Sequence, residues 1–477
     1  MPVFKKTKLK SQNISKTNKK SSWFLSKIFT FLGIILISLM WVWVVQNFSS
    51  LELNINTLAK MAWFDGDITS LVESSNIKTT LDGKTNIVII GRGWDENDAP
   101  ELTDSIMVVS LNHEKEFISL FSVPRDLYVQ YPTGGAWKIN ETYLRWLQNN
   151  NYDEFLAINS LKEVLQKITW EEIHYFVNLD FDWFRKIIDM AGWIEIDVPE
   201  NIIDNSYPGP NHTFQTFRIQ KWLQIIDGAT ALKYARSRYS TSDFDRSLRQ
   251  QLIIKALKDK FLDIWFISSP SKIKSLYSTL NQHVITDLDI SQIINLALYV
   301  KDLPRENIVS SNLNDSCFYG SDVCEKGWFL YVPMRADFGW ASVLLQNWGT
   351  KWNPSNYNSL LMYTNLVFNY PEIYLENEQI NIFNATKVPW LAWDIANNLK
   401  KYWFNIPQYN SIGNTSWDIY EKSVILYGSG ARSKTVEALE LFIFWWSQEI
   451  EVLPKYSKDM ENKIEIIIGN DYKTLNF

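Results

Sequence analysis

Strand and helix patterns alternate between residues 85 and 198, predicting an α/β fold with helices on both faces of a central sheet. Two observations carry this. Thr85-Asn-Ile-Val-Ile-Ile-Gly91 is a continuous apolar run closed by glycine, the pattern of a buried strand. Beyond it, strand-like runs at Ser105–Ser110, Phe117–Val123, Ile173–Asn178 and Ile194–Val198 are joined from residue 141 onward by helical stretches at 141–168 and 181–190.

In chain order, residues 1–27 form a basic tail with eight lysines and no acidic residue. Ile28 to Val45 is an 18-residue uncharged run, long enough to span the hydrocarbon core as a helix, with Trp41 and Trp43 suited to the far interface. No small-residue cleavage site follows, so a retained single-pass anchor is expected rather than a cleaved leader. The lysines keep the N-terminus in the cytoplasm and place everything beyond about residue 50 outside. Residues 46–80 read as a juxtamembrane segment.

The first strand, ending at Gly91, leads into a polar loop, Arg92 to Glu101, and a second strand over Ser105–Ser110. A third strand covers Phe117–Val123 and runs into Pro124-Arg125-Asp126. Residues 141–168 are predicted as one helix, Ile173–Asn178 as a strand, Phe181–Met190 as a helix and Ile194–Val198 as a strand. Ser242 or Asp243 can cap a helix continuing through Leu252, Ile253, Leu257 and Phe261. The remainder to residue 345 completes this domain, with an apolar-periodic stretch over Ile290–Val300 and a strand-like one at Phe329–Val332. Residues 346–375 form a connection. A small α/β domain fills 376–477, as strand 380–384, helix 390–402, strand 423–427, helix 433–447 and strand 463–468.

A formal net charge of −6 argues against a nucleic-acid binder, which would show a basic domain. Two cysteines and four histidines cannot assemble a Cys/His zinc set. Cys317 and Cys324 share one loop-like stretch, and a disulfide there requires an extracytoplasmic location. The 22 tryptophans read as bulky core and surface packing rather than as a motif.

The residues with chemistry to offer cluster in Arg236-Ser-Arg238 and Asp243-Phe-Asp-Arg246-Ser-Leu-Arg249-Gln250. Asp243, Arg246 and Gln250 share one helical face. If their segment is extended, Arg236 and Arg238 point the same way. The two arrays then make either a phosphate or pyrophosphate pocket of guanidinium forks or a solvated charged face. Asp95, Asp98 and Asp104 surround the first loop, and Arg125 ends the third strand. Carboxylates beside arginines suit Mg²⁺ held by one or two carboxylates together with substrate phosphate oxygens.

From Asn86 to Lys260 the chain resembles the LytR-CpsA-Psr family of cell-wall ligases. The resemblance rests on Asn86-Ile-Val-Ile-Ile-Gly91, Leu102-Thr-Asp-Ser-Ile-Met107, Ser122-Val-Pro-Arg-Asp126, Lys138-Ile-Asn140, Asp227-Gly-Ala-Thr-Ala-Leu-Lys-Tyr-Ala-Arg-Ser-Arg238 and Asp243 to Gln251. Residues 380–386 through 464–471 resemble the C-terminal α/β domain often appended to it. The resemblance implies a central mixed sheet flanked by helices behind one membrane anchor. The activity it implies is Mg²⁺-dependent transfer of a glycopolymer from a polyprenyl-pyrophosphate carrier to peptidoglycan as a phosphodiester. By the same resemblance, Asp104 is metal-associated, with Asp95 its companion. Arg125, Arg236, Arg238, Arg246 and Gln250 then bind the pyrophosphate, Asp104, Arg125, Arg238 and Arg246 carry catalysis, and Asp243 and Arg249 stand as further candidates.

The family's Arg-Ser-Asp-Thr block reads Leu102-Thr103-Asp104-Ser105 here, one arginine short, with Arg92 or Arg145 the available replacements. Two other functions compatible with the same residues are hydrolysis of the lipid pyrophosphate by water and a non-catalytic envelope scaffold or attenuator.

Overall fold

The computed structural model describes residues 76–93, 102–132, 134–209, 213–237, 243–261, 284–313, 329–402, 404–407, 412–414, 420–428, 432–444, 450–455 and 462–472. All lie within the unit Asp67–Phe477. No helix among the described residues is long and apolar enough to cross a membrane. The expected anchor at 28–45, the juxtamembrane residues up to 75 and the pair Cys317 and Cys324 lie outside the described residues.

Six strands form the central sheet: β1 (Lys84–Arg92), β2 (Thr103–Asn112), β3 (Phe117–Val123), β4 (Tyr175–Asp180), β5 (Val284–Thr286) and β6 (Ile308–Asn312), in the order β5-β4-β1-β2-β3-β6. The sheet is mixed. β1 pairs parallel with β4 and β3 parallel with β6, while β2 runs antiparallel to both β1 and β3 and β5 antiparallel to β4. Period-two alternation sorts β1 between two cores. Val88 and Ile90 join Ile106, Val108, Phe121 and Phe176 on one face, while Ile87 joins Met107, Leu120 and Tyr175 on the other.

The first face is covered by α1 (Thr142–Asn149) and α2 (Glu154–Thr169), where the sequence predicts one helix. Asn151 and Tyr152 break it with φ of 53° and 63°, a conformation asparagine adopts at little cost. Asp153 then opens α2 by accepting a hydrogen bond from the Leu156 N–H at 3.0 Å. A third core packs α3 (Phe181–Met190) and α4 (Gly228–Arg236) against α5 (Asp243–Phe261). The strand expected at 194–198 is Ile194–Asp197, and it pairs with Leu223–Ile226 in a separate ribbon over this core rather than in the central sheet. The opposite face of the central sheet is covered by α6 (Ile290–Asp302), through Leu296, and by Ile254 of α5.

α7 (Asn358–Asn369) carries the first core onward. Leu360, Tyr363 and Leu366 belong to the same cluster as Ile380, Ile382 and Ile466 of a second sheet. That sheet contains β7 (Gln379–Asn384), β8 (Ile412–Asn414), β9 (Val424–Tyr427), β10 (Glu451–Pro454) and β11 (Lys463–Ile468), in the order β8-β7-β11-β9-β10. It packs with α8 (Leu391–Lys401) and α9 (Lys434–Phe444).

Candidate active site

β1, β3 and β4 end, and β2 begins, at one edge of the central sheet. At that edge Gly91 pairs with Ser105 and the next residue, Arg92, with Thr103, so Asp104 is the extra residue of a bulge. A bulge re-aims the side chain it frees, and here it turns Asp104 out of the pleat at the strand's start. Gly91 fits closely beside it, since a Cβ there would lie 3.0 Å from the Ser105 Cβ.

A cavity of about 280 Å³ opens there, and Asp104, Ser105, Phe181, Asp204, Arg236 and Arg246 are among its walls. Arg125, in the turn after β3, donates from Nη1 to Asp104 Oδ1 at 2.7 Å. The turn is fixed by its own bonds. The Asn140 N–H donates to the Arg125 carbonyl at 3.2 Å, and Lys138 pairs with Asp126 at 2.8 Å. That is the structural work of the Lys138-Ile-Asn140 block.

α5 supplies the opposite wall. Arg246 Nη2 donates to the Asp104 carbonyl at 3.3 Å, and Ser105 Oγ donates to Gln250 Oε1 at 2.7 Å. Gln250 Nε2 reaches the Ala235 carbonyl at 3.4 Å. One turn of helix therefore ties β2 to the end of α4 and sets Arg246 beside Asp104. Gln251 points the other way, donating to Ser122 Oγ and to the Ser311 carbonyl, both at 2.8 Å, which anchors α5 on β3 and β6.

Arg236 is the last residue of α4, so its segment is helical, not extended. The helix is placed by the Asp227-Gly-Ala-Thr block. Asp227 caps it, accepting from the Thr230 N–H at 2.7 Å. Gly228 donates its N–H to Asp189 at 2.8 Å, and a Cβ there would lie 2.2 Å from the Arg185 carbonyl oxygen. Hydrogen bonding of the Asp227 carboxylate to Thr230 holds its pKa below the usual aspartate value. At the helix end, the Arg236 guanidinium lies 4.3 Å from the Phe181 ring centroid and 5.8 Å from that of Tyr207. Aromatic faces hold the cation while leaving its edge donors for a ligand. Burial raises the Tyr207 phenol pKa against the opposing effect of Arg236, so the phenol stays neutral beside it.

Asp204, buried at 3% exposure, accepts from the Ser206 N–H at 3.0 Å and from Ser237 Oγ at 2.8 Å. Phe181, Asp204 and Tyr207 come from α3 and from the hairpin strand Ile202–Pro208, elements that carry no recognisable motif. The local signal available was aromatic and acidic residues at element boundaries, which is common to many surfaces.

Arg249 does not line the cavity. It is buried, and it donates from Nε to the Tyr234 carbonyl at 2.9 Å and from Nη2 to the Ser237 carbonyl, closing the C-terminal end of α4. Burial lowers its pKa and pushes that of Tyr234 up to about 12. Neither replacement for the missing arginine reaches the cavity walls: Arg92 pairs with Glu154 at 3.8 Å and Arg145 with Glu141 at 3.0 Å. Asp95, Asp98 and Arg238 lie outside the described residues, as does the side chain of Asp243, which opens α5.

Asp104 fits one metal mode. Oδ1 is engaged by Arg125, the side chain is 37% exposed at the cavity wall, and Oδ2 receives no hydrogen bond from a described residue. No cluster of three acidic, histidine or cysteine side chains occurs among the described residues. A single carboxylate completed by ligand phosphates and water is a mode Mg²⁺ accepts.

The chain is 28% identical over 222 residues to a polyisoprenyl-teichoic acid–peptidoglycan teichoic acid transferase, TagV of Bacillus subtilis, covering 46% of this chain and 53% of that protein. The matched region thus spans about half of that relative. It is 22% identical over 432 residues to the cell wall biosynthesis protein LcpA of Corynebacterium glutamicum, covering 86% of this chain and 77% of that one. The crystal structure of B. subtilis TagV aligns with a TM-score of 0.40 at 24% identity, over 51% of this chain and 89% of that one. The LytR_cpsA_psr family model matches residues 55–337, more than half of the chain, and the protein belongs to that family.

Proposed function

We propose that this protein is a membrane-anchored, extracytoplasmic phosphotransferase that moves a glycopolymer from a polyprenyl-pyrophosphate carrier to peptidoglycan. The observation that carries the reading is the convergence of Arg125, Arg236 and Arg246 around Asp104 at one sheet edge. Three guanidinium groups brought to one sheet edge offer the paired donors that match the oxygens of a doubly phosphorylated ligand. Membership of the family and the similarity to TagV and LcpA support the cell-wall context.

In this reading the acceptor hydroxyl oxygen bonds to the phosphorus next to the glycan. The bond from that phosphorus to the bridging oxygen breaks, and the lipid monophosphate leaves with the electron pair and takes up the proton. Arg246 and Arg236 bind non-bridging oxygens, and Arg236 is kept in place by Phe181 and Tyr207. Arg125 orients Asp104, and Gln250 holds α5 against β2. Little covalent chemistry is asked of the chain, since positioning and charge neutralisation supply most of the catalysis. Mg²⁺, held by Asp104 with Asp95 as its companion, would neutralise charge on the pyrophosphate. Arg238 and Asp243 complete the proposed ligand set. The uncharged stretch 28–45 serves as the anchor and keeps the pocket beside its lipid carrier.

The test supplies the full-length protein in vesicles with lipid-pyrophosphate-linked glycan, Mg²⁺ and peptidoglycan fragments. A glycan–peptidoglycan phosphodiester with release of lipid monophosphate is the expected product. Free phosphorylated glycan alone identifies a hydrolase, and unchanged substrate a non-catalytic role.

A further inference from the structure

Among the described residues, nine that are not glycine have positive φ, and four of them are tryptophan: Trp170 (60°), Trp193 (69°), Trp340 (68°) and Trp390 (64°). A left-handed backbone crowds any Cβ, and bulky residues there are outliers. Three of the other five are asparagine, which tolerates the conformation.

The surroundings of the four are those where chains use glycine. Trp170 closes α2 in the left-handed conformation, its N–H donating to the Gln166 carbonyl at 2.9 Å, a cap usually made by glycine. Trp193 follows Gly192 (76°) and Trp340 follows Gly339 (62°), so each pair places two left-handed residues in succession. Such pairs are met by Gly-Gly or Asn-Gly. Trp390 sits immediately before α8 in the same conformation.

Burial offsets little of the strain. The four residues are 57%, 53%, 78% and 77% exposed, so more than half of each stays in water. They are scattered over the molecule and none lines the cavity at Asp104, so the strain is not the kind stored at an active site. Composition points the same way. Tryptophans number 22 and glycines 18 in 477 residues, and 18 is about 4% where roughly 7% is usual.

We infer that residues 170, 193, 340 and 390 are glycine positions, and that the codon written as tryptophan there is decoded as glycine in the cells that make this protein. UGA is the codon with that property: a stop signal in the standard code, reassigned to tryptophan or to glycine in variant codes, and one base away from the glycine codon GGA. The natural protein then ends α2 on a glycine and carries two Gly-Gly turns, with no indole at any of the four positions.

Two measurements test this. The gene should read UGA at all four codons, and peptides from the protein isolated from its own cells should carry glycine there, lighter by the mass of the indole side chain. UGG at any of the four, or tryptophan in those peptides, overturns the inference. The second measurement uses the chain made as written. Trp170→Gly, Trp193→Gly, Trp340→Gly and Trp390→Gly should each raise the melting midpoint, and the Ala variants should raise it less. Trp352→Gly is the control, since Trp352 is 88% exposed without positive φ, and it should give no rise. Ala variants as stabilising as Gly would show that surface indole, not backbone strain, sets the effect, and would also overturn it.

Discussion

In the second sheet the carboxylates at element ends are consumed by the fold itself. Asp471 accepts from the Ser423 N–H at 2.9 Å and from its hydroxyl at 2.7 Å, joining β9 to the end of β11. Glu376 accepts from the N–H groups of Lys434 and Thr435 at 3.0 and 2.7 Å and so caps α9. At the edge of the central sheet, Asp104 meets Arg125 with one oxygen, and Arg246 and Arg236 stand on the same cavity wall. The comparison separates two uses of one architecture. Where backbone donors take every carboxylate oxygen, charge holds elements together. Where a bulge pushes a carboxylate off the ladder among arginines, charge gathers at the wall of a cavity, which is where the proposed ligand would sit.

The largest expected effect follows from that contrast. Asp104→Asn keeps the shape but removes the charge that orients Arg125. Glycan transfer should fall about 10³-fold, and Arg246→Lys, which loses the guanidinium fork, should cost about 10²-fold. The thermal midpoint of Asp104→Asn should move little, because the Asp104–Arg125 pair is partly exposed and worth at most about 1 kcal/mol. A large drop in midpoint with proportional loss of activity would place Asp104 among the structural carboxylates and erase the contrast.

Arg246 and Arg249 put the same comparison onto one helix. Arg249→Met leaves the carbonyls of Tyr234 and Ser237 without their donor and should destabilise the fold by about 3 kcal/mol. Pyrophosphate should still raise the midpoint of the folded Arg249→Met protein by mass action, and should fail to do so in Arg246→Lys. Loss of the pyrophosphate response in Arg249→Met, with the fold intact by circular dichroism, would move Arg249 to the ligand side.

These two arginines also mark what the sequence could reveal. Arg246 and Gln250 were legible because they stand four apart in a predicted helix, and spacing fixes a face. Arg249 was legible as a charged residue but not as a buried one, since its partners are carbonyls of a different helix. The strands at 85–91 and 117–123 announce themselves by apolar runs, whereas β6, reading Ile308-Val-Ser-Ser-Asn312, is buried behind a polar sequence. β10 hides for another reason: Glu451-Val-Leu-Pro454 is a mostly exposed edge strand ending in proline. The Asp104 bulge depends on register, which is set across the β1–β2 pair and invisible in either strand alone. Phe181 and Asp204 reach the cavity, and Tyr207 reaches Arg236, only through long-range packing, and no local pattern assigns them there.

In the second sheet, Asp471→Ala removes the acceptor for the Ser423 N–H and hydroxyl. It should lower stability by about 1–2 kcal/mol while leaving glycan transfer unchanged per folded molecule. A specific loss of transfer at full folding would mean that the second sheet contributes to the reaction.

The smallest effect tests how α4 holds Arg236. Asp227 is a charged cap, and its hydrogen bond to Thr230 depresses its pKa in the folded state. A depressed carboxylate stabilises the fold above its unfolded pKa of about 3.9, and that contribution is lost as pH falls through the lower folded value. Asn caps a helix about as well as Asp but carries no charge. Asp227→Asn should therefore cost about 0.5 kcal/mol at neutral pH, the share due to a negative charge at a helix N-terminus. Once the pH lies below that depressed folded value the aspartate is protonated as well, and the two proteins should melt together. Melting midpoints of both proteins between about pH 2 and 7 give the difference directly, because other carboxylates titrate equally in each. A gap that stays constant down to acid pH would show that the cap works through geometry alone. In that case Arg236 owes its placement to Gly228 and the α3 contact rather than to the charge at the other end of its helix.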